Sequence, residues 1–267
     1  GTISWQKTYG GTNDDSPSSV EETSDGGYIV AGRTKSFGVG DYDAWIIKLT
    51  SDGTIEWQKT YGGANYDNAC SIQQTKDGGY IIAGKKKGML NYDIYLIKID
   101  SDGNEEWNWV SGWINFDSGN SIHQTADGGY IITGTTESFG LQDPTIWLIK
   151  TNQNGFMYWN RYFDTGYGGS GECVEQTADG GYIIAGKKLY SWPTWYDLCL
   201  IKTDSQGNLK WEQTYGSTEY EGGYSVIQTT DGGYVSVGVY DYDPLNFNSR
   251  IYLLRNGPDP DPPEISL

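Results

Sequence analysis

The sequence predicts an all-β fold: a five-bladed β-propeller of four-stranded antiparallel blades. Its ring is expected to be closed by the N-terminal strand, which completes the last blade in a 3+1 arrangement. Three observations carry this. Asp-Gly-Gly-Tyr occurs five times, beginning at Asp25, Asp77, Asp127, Asp179 and Asp231. A tryptophan stands 20 residues before each, at Trp5, Trp57, Trp107, Trp159 and Trp211. A basic residue closes an apolar run after each, at Lys48, Lys98, Lys150, Lys202 and Arg255, and a tryptophan follows the first four of these by nine residues. Only the interval from Asp to the basic residue varies, at 23, 21, 23, 23 and 24 residues. Self-similarity at a fixed period marks a repeat architecture, and the one elastic interval marks a loop on a face that tolerates change.

Each repeat reads as four short strands. In the first copy, strand a is Ser19–Thr23, followed by a tight turn at Asp25-Gly26-Gly27, where glycine accepts the positive φ that such turns need. Strand b, Tyr28–Gly32, and strand c, Ala44–Leu49, are nearly continuous apolar runs, as expected of strands buried on both faces. The variable loop joins them. A second turn at Ser51-Asp52-Gly53 leads to strand d, Thr54–Gln58. One such sheet cannot bury both faces alone, but stacked neighbours can.

The ends motivate closure. Gly1-Thr2-Ile3-Ser4-Trp5 matches Gly53-Thr54-Ile55-Glu56-Trp57, so the chain opens on a strand d. Glu264, not tryptophan, lies nine residues past Arg255, so the last copy lacks its own strand d. Residues 1–257 are therefore expected to form a single propeller. The Pro-rich stretch 258–267 is expected to be a linker to a further domain, with an upstream segment also expected.

Composition narrows the function. The net charge of −17 disfavours nucleic acid and anionic lipid as partners, and no apolar run approaches the roughly 20 residues that span a bilayer. Three cysteines, Cys70, Cys173 and Cys199, form no CxxC pair and read as small buried hydrophobes. No metal site is expected: the Asp100–Asn104 turn has the wrong glycine spacing for a calcium loop. The single histidine, His123, reads as structural.

Strand c followed by Asp100-Ser101-Asp102-Gly103 and then Trp107 resembles the tryptophan-docking motif of quinoprotein-like propeller repeats. The unit from Gln124 through Asp127-Gly128-Gly129-Tyr130 to Trp159 is similar to repeats of secreted and cell-surface proteins of bacteria and archaea. The resemblance spans residue 1 to about Arg255. It implies the fold and an extracellular or cell-surface location. Quinone-dependent dehydrogenases of that architecture have about eight blades and a vicinal cysteine pair. This chain has neither, so no cofactor and no catalytic residue is carried over.

The loops that differ between copies are rich in aromatics, and loops on a rigid scaffold are the usual place for recognition. The candidate ligand-binding residues are Tyr42, Tyr92, Trp113, Phe116, Asp117, Trp192, Trp195, Tyr196 and Tyr242. Trp113 replaces a glycine of the other copies, and Trp192 and Trp195 lie outside the repeat pattern. Acids recur where strand a begins, at Asp15, Asp67, Asp117 and Glu221, broken by Gly169; repetition favours a structural role for them. Glu172 occupies a position held by Ser18, Cys70, Asn120 and Tyr224 elsewhere.

The leading expectation is a non-catalytic extracellular module recognising a glycan or a surface protein through this aromatic face. A structural or assembly unit of a cell-surface protein is the first alternative. A glycoside hydrolase is the second, with Asp117 and Glu172 or Glu221 as candidate carboxylate pairs.

Overall fold

The computed structural model describes residues 1–112, 114–139, 143–163, 166–189, 195–216, 220–243 and 248–259, with the side chains of 241–248 excepted. Among these residues every regular element is a strand. Sheet 1 comprises β1 (Asp15–Glu22), β2 (Tyr28–Thr34), β3 (Asp43–Leu49) and β4 (Ile55–Tyr61). Sheet 2 comprises β5 (Asp67–Gln74), β6 (Tyr80–Lys87), β7 (Tyr92–Ile99) and β8 (Glu105–Ser111). Sheet 3 comprises β9 (Asp117–Gln124), β10 (Tyr130–Thr136), β11 (Thr145–Thr151) and β12 (Met157–Phe163). Sheet 4 comprises β13 (Gly169–Gln176), β14 (Tyr182–Leu189), β15 (Tyr196–Thr203) and β16 (Leu209–Tyr215). Sheet 5 comprises only β17 (Gly222–Gln228), β18 (Tyr234–Asp243) and β19 (Asn248–Asn256). All pairings are antiparallel and sequential. The sheets stack in chain order, β2 on β5, β6 on β9, β10 on β13 and β14 on β17, with the first strands side by side along the inner edge. The layout is propeller-like.

The repeated residues build this locally. In the first copy, Asp25 Oδ1 accepts from the Gly27 N–H at 2.9 Å and from the Thr23 hydroxyl at 2.5 Å, closing the β1–β2 turn. Gly26 takes φ +80°, and a Cβ on Gly27 would collide with the Leu49 carbonyl. The buried Lys48 ammonium sits at that spot, 2.8 Å from Asp25 and 2.9 Å from Glu56. It ties the β1–β2 turn to strands β3 and β4. Lys98, Lys150 and Lys202 repeat the tie to Asp77, Asp127 and Asp179.

Between sheets, each tryptophan of a fourth strand docks on the next sheet. Trp57 donates from Nε1 to the Ser101 carbonyl at 3.1 Å and meets the Tyr80 ring edge-on at 6.0 Å. Tyr61 donates its hydroxyl to the Gly103 carbonyl at 2.6 Å. Apolar layers fill the four joints, around Ile46 and Ile82, Leu96 and Ile132, Leu148 and Ile184, and Leu200 and Val226.

The closed ring expected from the sequence is not formed. Sheet 5 has three strands, and the N-terminal segment does not pair with β19. That segment is bound to sheet 1 instead. Trp5 Nε1 donates to the Ser51 carbonyl at 3.0 Å and the Tyr9 hydroxyl to the Gly53 carbonyl at 2.6 Å. These bonds copy those of Trp57 and Tyr61 on sheet 2. The sequence match therefore located the segment on sheet 1, but not sheet 5 beside it. Closure depends on the wedge angle between successive sheets, which interface side chains set and repeat spacing does not encode. The start of the expected linker folds back: Asp259 accepts from Trp211 Nε1 at 2.6 Å and from the Tyr234 hydroxyl at 2.7 Å.

Candidate functional site

The first strand of every sheet carries a β-bulge, and each bulge leaves one residue without a partner on the second strand. These residues are Ser18, Cys70, Asn120, Glu172 and Tyr224. They are the row whose identity changes from copy to copy. A bulge bends its strand and re-aims a side chain. The framework makes room for it with glycine: a Cβ on Gly32, Gly84, Gly134, Gly186 or Gly238 would overlap a backbone carbonyl of the neighbouring first strand.

The re-aimed side chains converge. Asn120 Nδ2 donates to the Gly171 carbonyl at 2.9 Å and lies 3.4 Å from Glu172 Oε2. Lys187 Nζ lies 3.4 Å from Glu172 Oε1. Tyr224, half exposed, has its phenol pushed up to about 12 by burial, with Tyr220 and the Glu172 charge adding and Lys187 opposing. Burial also pushes the Cys70 thiol up, so it is not a thiolate nucleophile. Glu172 is the one carboxylate on this row, flanked by a cation, an amide and a protonated phenol.

Next to the row stands a cationic tier from the second strands: Arg33, Lys85 and Lys187 follow the bulge-facing glycines. Lys85 has no carboxylate partner among the described residues. It lies over the rings of Tyr66, Tyr92 and Phe116 at 5.9, 5.3 and 5.5 Å. Arg33 lies over Tyr42 and Tyr66, and Lys187 over Tyr196. A cleft of about 280 Å³ opens here, lined by Lys85, Phe116, Asn120, Ser170, Lys187 and Tyr196 among others. A chain with net charge −17 thus presents a locally cationic recess.

The residues singled out from the sequence divide. Tyr42, Tyr92 and Phe116 join Tyr66 in one half-buried collar, with successive ring centroids 5.3, 5.4 and 5.8 Å apart. Tyr196 meets Tyr220 at 6.0 Å. Trp195 is 45% exposed. Trp113 and Trp192 lie outside the described residues, as does the side chain of Tyr242. His123 is largely buried, with Nδ1 3.1 Å from the Gln124 carbonyl; burial lowers its pKa, so it is neutral.

Asp117 and Glu221 are fully buried, whereas Glu172 is half-buried. They belong to acid pairs that sequence spacing alone did not reveal. At the joint of sheets 1 and 2, a Cβ on Gly62 would strike the carboxylates of both Asp43 and Asp67. At the next joint a Cβ on Gly112 would strike Asp93 and Asp117. Asp197 and Glu221 form the counterpart between sheets 4 and 5. Asp67 accepts the Gly63 N–H at 2.8 Å through Oδ2, while its buried Oδ1 has no hydrogen-bond partner among the described residues. Burial raises the pKa of Asp67, with Lys86 opposing and Asp43 adding; burial likewise raises Asp43. Raised carboxyl groups stabilise the fold below the ordinary value of about 4, and this contribution is lost as pH rises through their folded values. Asp67→Asn is therefore expected to stabilise the protein by on the order of 1 kcal/mol at neutral pH, with the gain vanishing near pH 4. Thermal denaturation at both pH values checks this; an equal loss at both would contradict the paired-acid reading.

No family model and no curated protein matches the chain. Solved structures do. A protein of unknown function from Bacteroides caccae is 14% identical, with a TM-score of 0.51, over 84% of this chain and 72% of its own. An endo-arabinase from Bacteroides thetaiotaomicron is 11% identical, TM-score 0.48, over 90% and 92%. A GH43 endo-arabinanase from Bacillus licheniformis is 14% identical, TM-score 0.41, over 93% and 96%. The first shows a shared fold. The two with a named activity are glycoside-cleaving enzymes, unlike the non-catalytic module expected first from the sequence. Tyr42, Tyr92 and Phe116, expected as ligand-binding residues, are half-buried and contact one another edge to face or tilted, through Tyr66.

Proposed function

We propose that the protein is a glycan-cleaving enzyme of the hydrolase class that acts on an acidic saccharide at the cleft beside the bulged row. The observation that carries this is Glu172, the one carboxylate of the bulged row, which contacts Lys187 and Asn120, both of which line the adjoining recess. Lys85, with no carboxylate partner among the described residues, would receive the sugar's acid group, with Asn120 and Ser170 offering hydrogen bonds to hydroxyls. Phe116 and Tyr196 would contact ring faces. Glu172 would serve as base or nucleophile, and the Tyr224 phenol, at the matching bulge of the next sheet, as proton donor. This pair departs from the two-carboxylate arrangement usual for such enzymes.

An acidic glycan suits the extracellular or cell-surface location expected from the sequence. We read the repeat itself as the tryptophan-docking type, on the bonds of Trp5 and Trp57 to the following turns. The test is reducing-end release from polygalacturonate, alginate and hyaluronan against neutral arabinan and galactan. Turnover confined to acidic polymers supports the reading. Cleavage of neutral polymers alone removes the role of Lys85, and binding without cleavage of any polymer removes the enzyme.

A further inference from the structure

The two terminal sheets present opposite, unfilled halves of one interface. Ile251 and Leu253 on β19 are 86% and 68% exposed. The residues at the Ile251 position in the other repeats, Ala44, Ile94, Ile146 and Leu198, are wholly buried. So are those at the Leu253 position, Ile46, Leu96, Leu148 and Leu200. All of these sit on the forward face of a sheet, against the following one. On the rear face of sheet 1, Val20 is 67% exposed, whereas Ile72, Ile122, Val174 and Val226 at the matching position are buried. A groove of about 250 Å³ lies beside it, lined by Tyr9, Pro17, Val30, Trp45 and Ile47 among others.

The four joints within the chain show what each face takes. Every one sets the forward face of one sheet on the rear face of the next. Each joint is also spanned by a fourth strand that belongs to the earlier sheet and docks its tryptophan on the later one. Residues 1–9 already occupy that docking position on sheet 1, through Trp5 and Tyr9, yet join no sheet among the described residues. The outer edge of β19 is the edge such a strand would pair with, because β3, β7, β11 and β15 each carry their fourth strand there.

We infer that the protein associates head to tail with a second copy of itself. Sheet 1 of one copy packs its rear face on the forward face of sheet 5 of another. The N-terminal segment of the first copy then runs beside β19 of the second as its fourth strand. The partner is a second copy because the free faces are the two halves of a joint this chain builds four times. Apolar residues leave water, and an open strand edge gains backbone hydrogen bonds. The contact is heterologous, so its geometry makes rings or filaments rather than an isologous dimer.

Sedimentation velocity over a concentration series tests this. The wild type is expected to grow in mass with concentration. A forward-face variant, Ile251→Lys with Leu253→Lys, and a rear-face variant, Val20→Lys, are each expected to weaken association at least about tenfold. All three positions are exposed, so the single chains should keep the wild-type circular dichroism. Mixing the two variants should restore a 1:1 complex and nothing larger, because each retains the face the other lacks. A wild type that stays monomeric at every concentration overturns the inference, whether its own two faces have met or remain bare. So does association that survives both variants, or a mixture that forms no complex.

Discussion

Glu172→Gln is expected to lower kcat on an acidic polysaccharide by about 10²–10⁴-fold, the range for loss of a positioned acid or base, while KM changes only a few-fold. Glutamine keeps the shape and the hydrogen bond to Asn120 but cannot accept a proton or attack. Lys187, 3.4 Å away, loses this ion-pair partner. That pair is partly exposed and worth at most about 1 kcal/mol. A structural role for Glu172 would therefore move the melting temperature and spare kcat; the catalytic role does the reverse. Tyr224→Phe should reduce kcat as well if its phenol is, as proposed, the proton donor in the same step.

Gly186→Ala is expected to destabilise the fold by about 3 kcal/mol, the upper range of overpacking. A methyl there would overlap the Ser170 carbonyl, which cannot withdraw without undoing the bulge that carries Glu172. Gly84→Ala meets the same obstacle at the Asn68 carbonyl, but its bulge carries the half-buried Cys70, whose thiol pKa is raised. The two variants should lose similar stability in chemical denaturation. Only Gly186→Ala should also lose activity per folded molecule. Equal loss of activity in both would mean that the bulge at Glu172 has no special standing.

The strands and their order were legible in the sequence because the markers are the parts that hold them. Asp25, Gly27 and Lys48 read as spacing and turned out to be one hydrogen-bonded knot, repeated along the chain. The tryptophan series read as a period and proved to be the docking contact between sheets. Glu172 was visible as a break in the row Ser18, Cys70, Asn120 and Tyr224. Its significance was not, because a bulge is a matter of register, and Gly186 looks like any strand glycine. The recurrent acids looked alike in the sequence. Burial separated them from Glu172 by placing Asp67, Asp117 and Glu221 in the joints, each beside an acid from the preceding sheet. The aromatic loops could not be resolved into platform or packing without coordinates, since Tyr66, Tyr92 and Phe116 satisfy both patterns. Ring closure was the largest error. The match of residues 1–5 to 53–57 was sound, but it reports which sheet the segment docks on, not how far the last sheet stands from the first.

The most direct test of the catalytic reading is a crystal structure of the Glu172→Gln protein soaked with an acidic oligosaccharide such as a galacturonate trimer. The expected result is the sugar in the cleft between Phe116 and Tyr196, a carboxylate on Lys85, and a glycosidic oxygen within reach of residue 172. A sugar bound on another face, or a cleft that stays closed to it while the crystals take it up elsewhere, would contradict the account.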